Sequence, residues 1–150
     1  MKIHQLNDQL WLPKPVGEIF DFFADARNLQ LLTPPFLGFR ILTPMPVEMK
    51  PGTIIDYKLR VHGLPIFWRT EISEWEPGRR FVDQQLRGPY RLWHHEHTFE
   101  PRDGGTLVSD KVRYAVLLDP IIHPLFVKPD VQRIFSFRRE KMLELFTGDS

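Results

Sequence analysis

From residue 53 onward, apolar and polar positions alternate. Ile55, Tyr57, Leu59 and Val61 are interleaved with Asp56, Lys58 and Arg60, a period of two that gives a strand one dry and one wet face. HGLP (62–65) turns the chain, and Ile66, Trp68, Thr70 and Ile72 carry the dry face onto a second strand. EPGRR (76–80) leads into a strand over Phe81–Leu86, and RGPY (87–90) leads into LWHHEHTFE (92–100). RDGG (102–105) opens a last strand, with Val108, Val112, Tyr114 and Val116 on one face. Turn signals at such intervals predict consecutive antiparallel hairpins.

The ends of the chain follow other periods. Ile3–Leu12 reads as an opening strand. Val16, Ile19, Phe20 and Phe23 then recur at helical spacing behind Pro15, which suits a helix start. A second short helix is predicted over Ala26–Leu32, with Asp25 as its cap and Pro34-Pro35 as its stop. Phe39–Leu42 reads as a short strand before a proline-rich loop. In the last segment Val131, Ile134, Phe135, Arg138, Met142, Leu145 and Phe146 fall at spacings of three and four. That stripe predicts a helix over roughly 130–147 whose apolar side must pack on the face of the meander. HPLFVKPD (123–130), just before it, is expected to form a lid or mouth, its prolines limiting helical structure. The order is one strand, two short helices, six strands and a long helix, in a single α+β domain spanning 1–150.

Composition narrows the chemistry. With 20 Lys and Arg against 19 acidic residues, interleaved in sign, the chain lacks the basic stripe of a nucleic-acid binder. It contains no cysteine, so disulfides, thiolate nucleophiles and zinc–thiolate sites are excluded. The N-terminus has no apolar core of a signal peptide, and the run IIHPLFV (121–127) is too short to cross a bilayer. A cytoplasmic protein without membrane insertion is the expectation.

The segment FVDQQLRGPYRLWHHEHTFEPRDGGTLVSDKVRY (81–114) resembles the signature of ligand-binding, polyketide cyclase/dehydrase-like SRPBCC proteins, a branch of the START and birch-pollen-allergen superfamily. The matching positions include Asp83, Gln85, Gly88-Pro89, Trp93, His95, His97, Phe99, Asp110 and Tyr114. The helical segments PVGEIFDFFADARNLQLLTPP and IFSFRRE are similar as well. The resemblance implies a helix-grip fold, a curved antiparallel sheet of about seven strands around a long C-terminal helix, with a cavity between them. It implies no metal.

The histidine strand carries the candidate site. Neighbours on a strand point to opposite faces, so Trp93, His95, His97 and Phe99 share one face, and His94 and Glu96 share the other. The bracketing aromatics make the first face the inner one. Phe81, Asp83 and Gln85 share a face on the preceding strand, as do Val108, Asp110, Val112 and Tyr114 on the following one. Asp83, Gln85, His95, His97 and Asp110 are thus brought to one apolar interior. There they either satisfy one another or contact a small apolar or amphipathic ligand enclosed by Tyr57, Trp68, Trp93 and Tyr114. His95 or His97 as the general acid/base of a cyclase or dehydratase is the alternative. His-x-His can present two imidazoles to a metal, but HExxH is absent because Phe99 stands where its second histidine would be. Neither a metal nor a cofactor is expected.

Overall fold

In the computed structural model, which describes residues 1–148, the alternating segments form one seven-stranded antiparallel sheet. The strands are β1 (His4–Leu12), β2 (Arg40–Ile41), β3 (Thr53–Val61), β4 (Leu64–Glu76), β5 (Arg80–Arg87), β6 (Leu92–Arg102) and β7 (Gly105–Ala115). Their spatial order is β1-β7-β6-β5-β4-β3-β2. Helix α1 (Val16–Ala24) and two 3-10 segments (Ala26–Leu32 and Pro35–Leu37) fill the crossover from β1 to β2. Asp25 caps the first 3-10 segment by accepting the Arg27 backbone N–H at 3.0 Å. Pro34-Pro35 does end that segment, but Pro35 also begins the second, because proline fits the first turn of a helix.

Two hairpins owe their tightness to left-handed residues. His62 and Gly63 (φ 49° and 81°) join β3 to β4, and Asp103 and Gly104 (φ 52° and 76°) join β6 to β7. Positive φ at both central positions matches the twist of the flanking strands. The β4–β5 register slips between Arg69 and Thr70 and again between Ile72 and Glu74. Bulges of this kind bend a sheet, and here they curve it into a trough.

The long helix lies in that trough. It begins before residue 130: α2 (Asp119–Ile122), a π-helical turn (His123–Val127) and α3 (Lys128–Thr147) follow without a break. The expectation of a poorly helical 123–130 is therefore corrected. Pro120, Pro124 and Pro129 each stand in the first two positions of their own segment. In the π turn, the Lys128 N–H reaches back five residues to the His123 carbonyl, and the wider coil takes prolines that a continuous α-helix would exclude. Val131, Phe135, Arg138, Met142 and Phe146 form the buried stripe. Ile134 is half-buried, and Leu145 is 41% exposed rather than buried, since the stripe leaves the helix through Phe146. No helix among the described residues is long and apolar enough to cross a membrane.

Met142, 1% exposed, closes the trough against Ile19, Phe99 and Phe146 in the largest apolar cluster. Met142→Ala is expected to lower unfolding stability by about 2–5 kcal/mol in urea titrations. Leu145→Ala should cost less than about 1 kcal/mol. Equal losses would contradict the packing described.

Candidate functional site

His95 and His97 are 5% and 4% exposed, whereas His94 and Glu96 are only half-buried. The two inward rings stack with centroids 3.7 Å apart. In the ladders, His95 stands opposite Asp83 on β5, and His97 stands opposite Asp110 on β7. The hydrogen bonds run crosswise to this register. His95 Nε2 meets Asp110 Oδ1 at 2.8 Å, and His97 Nε2 meets Asp83 Oδ2 at 2.6 Å. Arg138 comes down from α3 to donate through Nη2 to Asp110 Oδ1 and to His97 Nδ1, both at 3.2 Å. The register thus places the four strand residues, and the arginine ties them to the helix.

Hydrogen-bond roles fix the His97 tautomer. A guanidinium only donates, so His97 Nδ1 holds a lone pair and Nε2–H donates to Asp83. His95 donates Nε2–H to Asp110. Its Nδ1 has no hydrogen-bond partner, the nearest carboxylate oxygen being Asp83 Oδ2 at 3.8 Å. Burial, reinforced by His95 and Arg138, pushes the His97 pKa down to about 4. Burial alone would raise Asp110, but the Arg138 charge and the His95 hydrogen bond outweigh it and hold the carboxyl below its ordinary range. Asp83 is lowered by the imidazoles and Arg138 against the same burial.

These five groups form a polar layer between two apolar ones. On β6 it is flanked by Phe99 and Trp93, on β7 by Val108 and Val112, and on α3 by Met142 and Phe135. Below the layer, the core is solid around Phe20, Phe81 and Phe99. Above it lies a cavity of about 610 Å³, within the range of small-molecule sites. Tyr57, Trp68, Asp83, Trp93, His95 and His97 are in its wall, and Arg138 is there too. The opening lies where wall residues are also exposed: Leu64 at the β3–β4 turn, Leu117 and Leu118 after β7, and Phe126 in the π turn. His62 Nε2 and Asp130 Oδ2, 2.8 Å apart, bridge this mouth from the hairpin to α3.

Three of the expected residues lie outside the wall. Gln85 donates to the Tyr90 carbonyl (2.7 Å) and accepts the Tyr90 N–H (3.0 Å), spending its amide on the β5–β6 turn. Asp110 is sealed behind the imidazoles at 3% exposure. The Tyr114 hydroxyl meets His123 Nε2 at 2.9 Å, in a cluster where His4 stacks on His123 and bonds Asp119. Arg138 has no site role in the sequence reading, although an arginine inside an apolar helical stripe is a signal that it has a buried partner. Of the mouth residues, Phe126 and Asp130 fall in the 123–130 segment expected as a lid or mouth, whereas Leu64, Leu117 and Leu118 carry no such signal.

Two groups have ligating atoms close enough together to hold a metal: Asp83, His95 and His97, and, near the mouth, His4, Asp119 and His123. The inner group fits one poorly. A cation on His97 Nε2 would move the ring proton to Nδ1, against the Arg138 N–H.

A curved antiparallel sheet gripping a long helix over a cavity is the helix-grip architecture of the START and birch-pollen-allergen superfamily. The family described as "Polyketide cyclase / dehydrase and lipid transport" matches residues 12–137, and the chain belongs to it. Protein Ms6760 from Mycobacterium smegmatis has the same fold, with a TM-score of 0.71 at 17% identity, covering 100% of this chain and 99% of that one. The ginseng major latex-like protein 151 from Panax ginseng aligns with a TM-score of 0.70 at 10% identity, over 96% and 97% of the two chains. A nucleoside-diphosphate sugar epimerase from Corynebacterium glutamicum aligns with a TM-score of 0.68 at 26% identity, over 93% of this chain but 28% of that one. Among curated proteins, no sequence matches.

The buried neutral His97 makes stability depend on pH. Its folded pKa lies below the unfolded value of 6.5, so its contribution is complete above 6.5 and is lost as pH falls toward 4. Between pH 7 and 4.5 this one group should remove about 2 kcal/mol. Asp83 and Asp110, lowered from 3.8, lose their contributions only below that window. Lowered His123 acts in the same direction as His97, so the comparison is with His97→Gln, which keeps a donor and an acceptor. Urea titrations should show a smaller pH-dependent loss in the variant; equal losses would contradict the neutral assignment.

Proposed function

We propose that the protein binds and carries a small, partly apolar organic molecule in the cavity between sheet and long helix. One observation carries this reading: a cavity of about 610 Å³ with an apolar wall ends on a single polar cluster. Sites for small organic ligands have this character, apolar enclosure giving affinity and a few convergent polar groups giving orientation. In this reading Tyr57, Trp68 and Trp93 enclose the ligand, and Asp83, His95 and His97 orient it. Asp110 and Gln85 position the polar end from outside the wall, and Arg138, itself in the wall, holds Asp110 and His97. Tyr114 anchors the segment leading to the mouth.

A second reading rests on His95 alone. With Nε2–H held by Asp110 and Nδ1 unpartnered on the cavity side of the layer, it has the arrangement of a general base for a cyclase- or dehydratase-type proton transfer. His97 has both nitrogens engaged and is unsuited to that role. In an assay with a polyketide-like β-hydroxyketone, His95→Gln would abolish turnover while leaving binding, and no turnover by the wild type would favour the carrier.

Native mass spectrometry of gently purified protein should find a retained small molecule. Titration with N-phenyl-1-naphthylamine, a neutral apolar dye, should give saturable, blue-shifted emission at one dye per chain. Ile134→Trp, which fills the cavity from α3, should weaken the dye at least tenfold while leaving far-ultraviolet circular dichroism unchanged. Dye binding that is absent, or indifferent to Ile134→Trp, would sink the proposal.

A further inference from the structure

We infer that the ligand meets the polar end of the cavity with an uncharged hydroxyl, as in a phenol or alcohol, and that carboxylate ligands are rejected. The inference rests on the cavity reading and follows from what the wall leaves unspent. Asp83 lies deep in the protein, yet a fifth of its side chain (19%) is accessible. Since Asp83 lines the cavity, that surface is what it presents to a ligand. Asp110 behind it is sealed, with 2% of its side chain accessible. While ionised, the Asp83 carboxylate oxygens only accept hydrogen bonds.

Most donors of the wall, in contrast, are spent or covered; Arg138 Nη1 keeps no partner, while its neighbour Nη2 is held by Asp110 and His97. The Asn28 amide donates to the Phe22 carbonyl, the Thr33 hydroxyl to that of Leu29, and the Thr70 hydroxyl to that of Gln84. Trp68 Nε1 and Arg138 Nε have no partner, but both atoms are sealed from the cavity. The Tyr57 and Tyr90 hydroxyls remain, and a phenol accepts as readily as it donates. Burial, and then the charge of Asp83, raises the Tyr57 pKa, so its proton stays in place beside that carboxylate. A ligand hydroxyl can donate to Asp83, and a phenol of the wall can donate to or accept from the same ligand. A methyl ether would dehydrate the cavity-facing part of the carboxylate without giving it a donor. A carboxylate would set like charges together in an apolar cavity, where the charge of Arg138 is already committed to Asp110.

Three probes of one ring system separate these cases: 2-naphthol, 2-methoxynaphthalene and 2-naphthoate, each displacing N-phenyl-1-naphthylamine at pH 7. Hydrophobicity alone ranks the methyl ether first. The expected order is naphthol tightest, by at least tenfold over the ether, with naphthoate weakest. Asp83→Asn should narrow the gap between naphthol and naphthoate at least tenfold. The wild-type ranking stands as the test if that variant does not fold. Naphthoate or ether binding as tightly as naphthol would overturn the inference while leaving the cavity reading intact. Failure of the dye and all three probes to bind would overturn both.

Discussion

A guanidinium buried between a helix and a sheet governs this molecule. Arg138 is 6% exposed, and a charge so placed is tolerated only with opposite charge and hydrogen bonds around it. Asp110 supplies the charge, and the His97 lone pair accepts a further N–H. Each imidazole in turn holds a carboxylate, so one requirement propagates across β5, β6 and β7. The helix is thereby fixed in its position and rotation over the sheet, since a one-residue slip would carry Arg138 away from its partners. The same layer divides the interior. Aromatic packing is continuous below it, and above it the walls stay apart around a cavity.

Much of this was legible in the chain because strand alternation is local. Once LWHHEHTFE is a strand, His95 and His97 must share a face, and the hairpin spacing brings Asp83 and Asp110 beside them. The crossed bonding was not legible: the register faces each histidine with the carboxylate it does not bond, and the choice depends on sheet twist and side-chain rotamers. Gln85 shares the face of Asp83 yet turns to the Tyr90 backbone, a tertiary competition that alternation does not encode. Pro124 misled in the opposite way. It signals a broken α-helix locally, but a π turn accommodates it. Arg138 fell correctly in the apolar stripe, and periodicity is silent about why a charge should be there.

Stability does not explain the polar layer. Buried ion pairs are often no better than well-packed apolar residues of the same volume, and the layer leaves the Arg138 Nε donor without a partner, a cost of about 1–3 kcal/mol. A network whose purpose was to hold register would seal its carboxylates, as Asp110 is sealed. Asp83 is not: its hydrogen bond to His97 uses one oxygen, and part of the side chain faces the cavity. The two carboxylates therefore divide the work by burial. The inner one balances Arg138 and holds His95 Nε2, and the outer one gives the cavity a preorganised acceptor that is already paired on its far side. Such an acceptor needs no rearrangement to receive a donor. It repels an anion even with an arginine beside it, because that arginine's charge is balanced by the carboxylate behind it, and its Nη2 is held by that carboxylate and an imidazole.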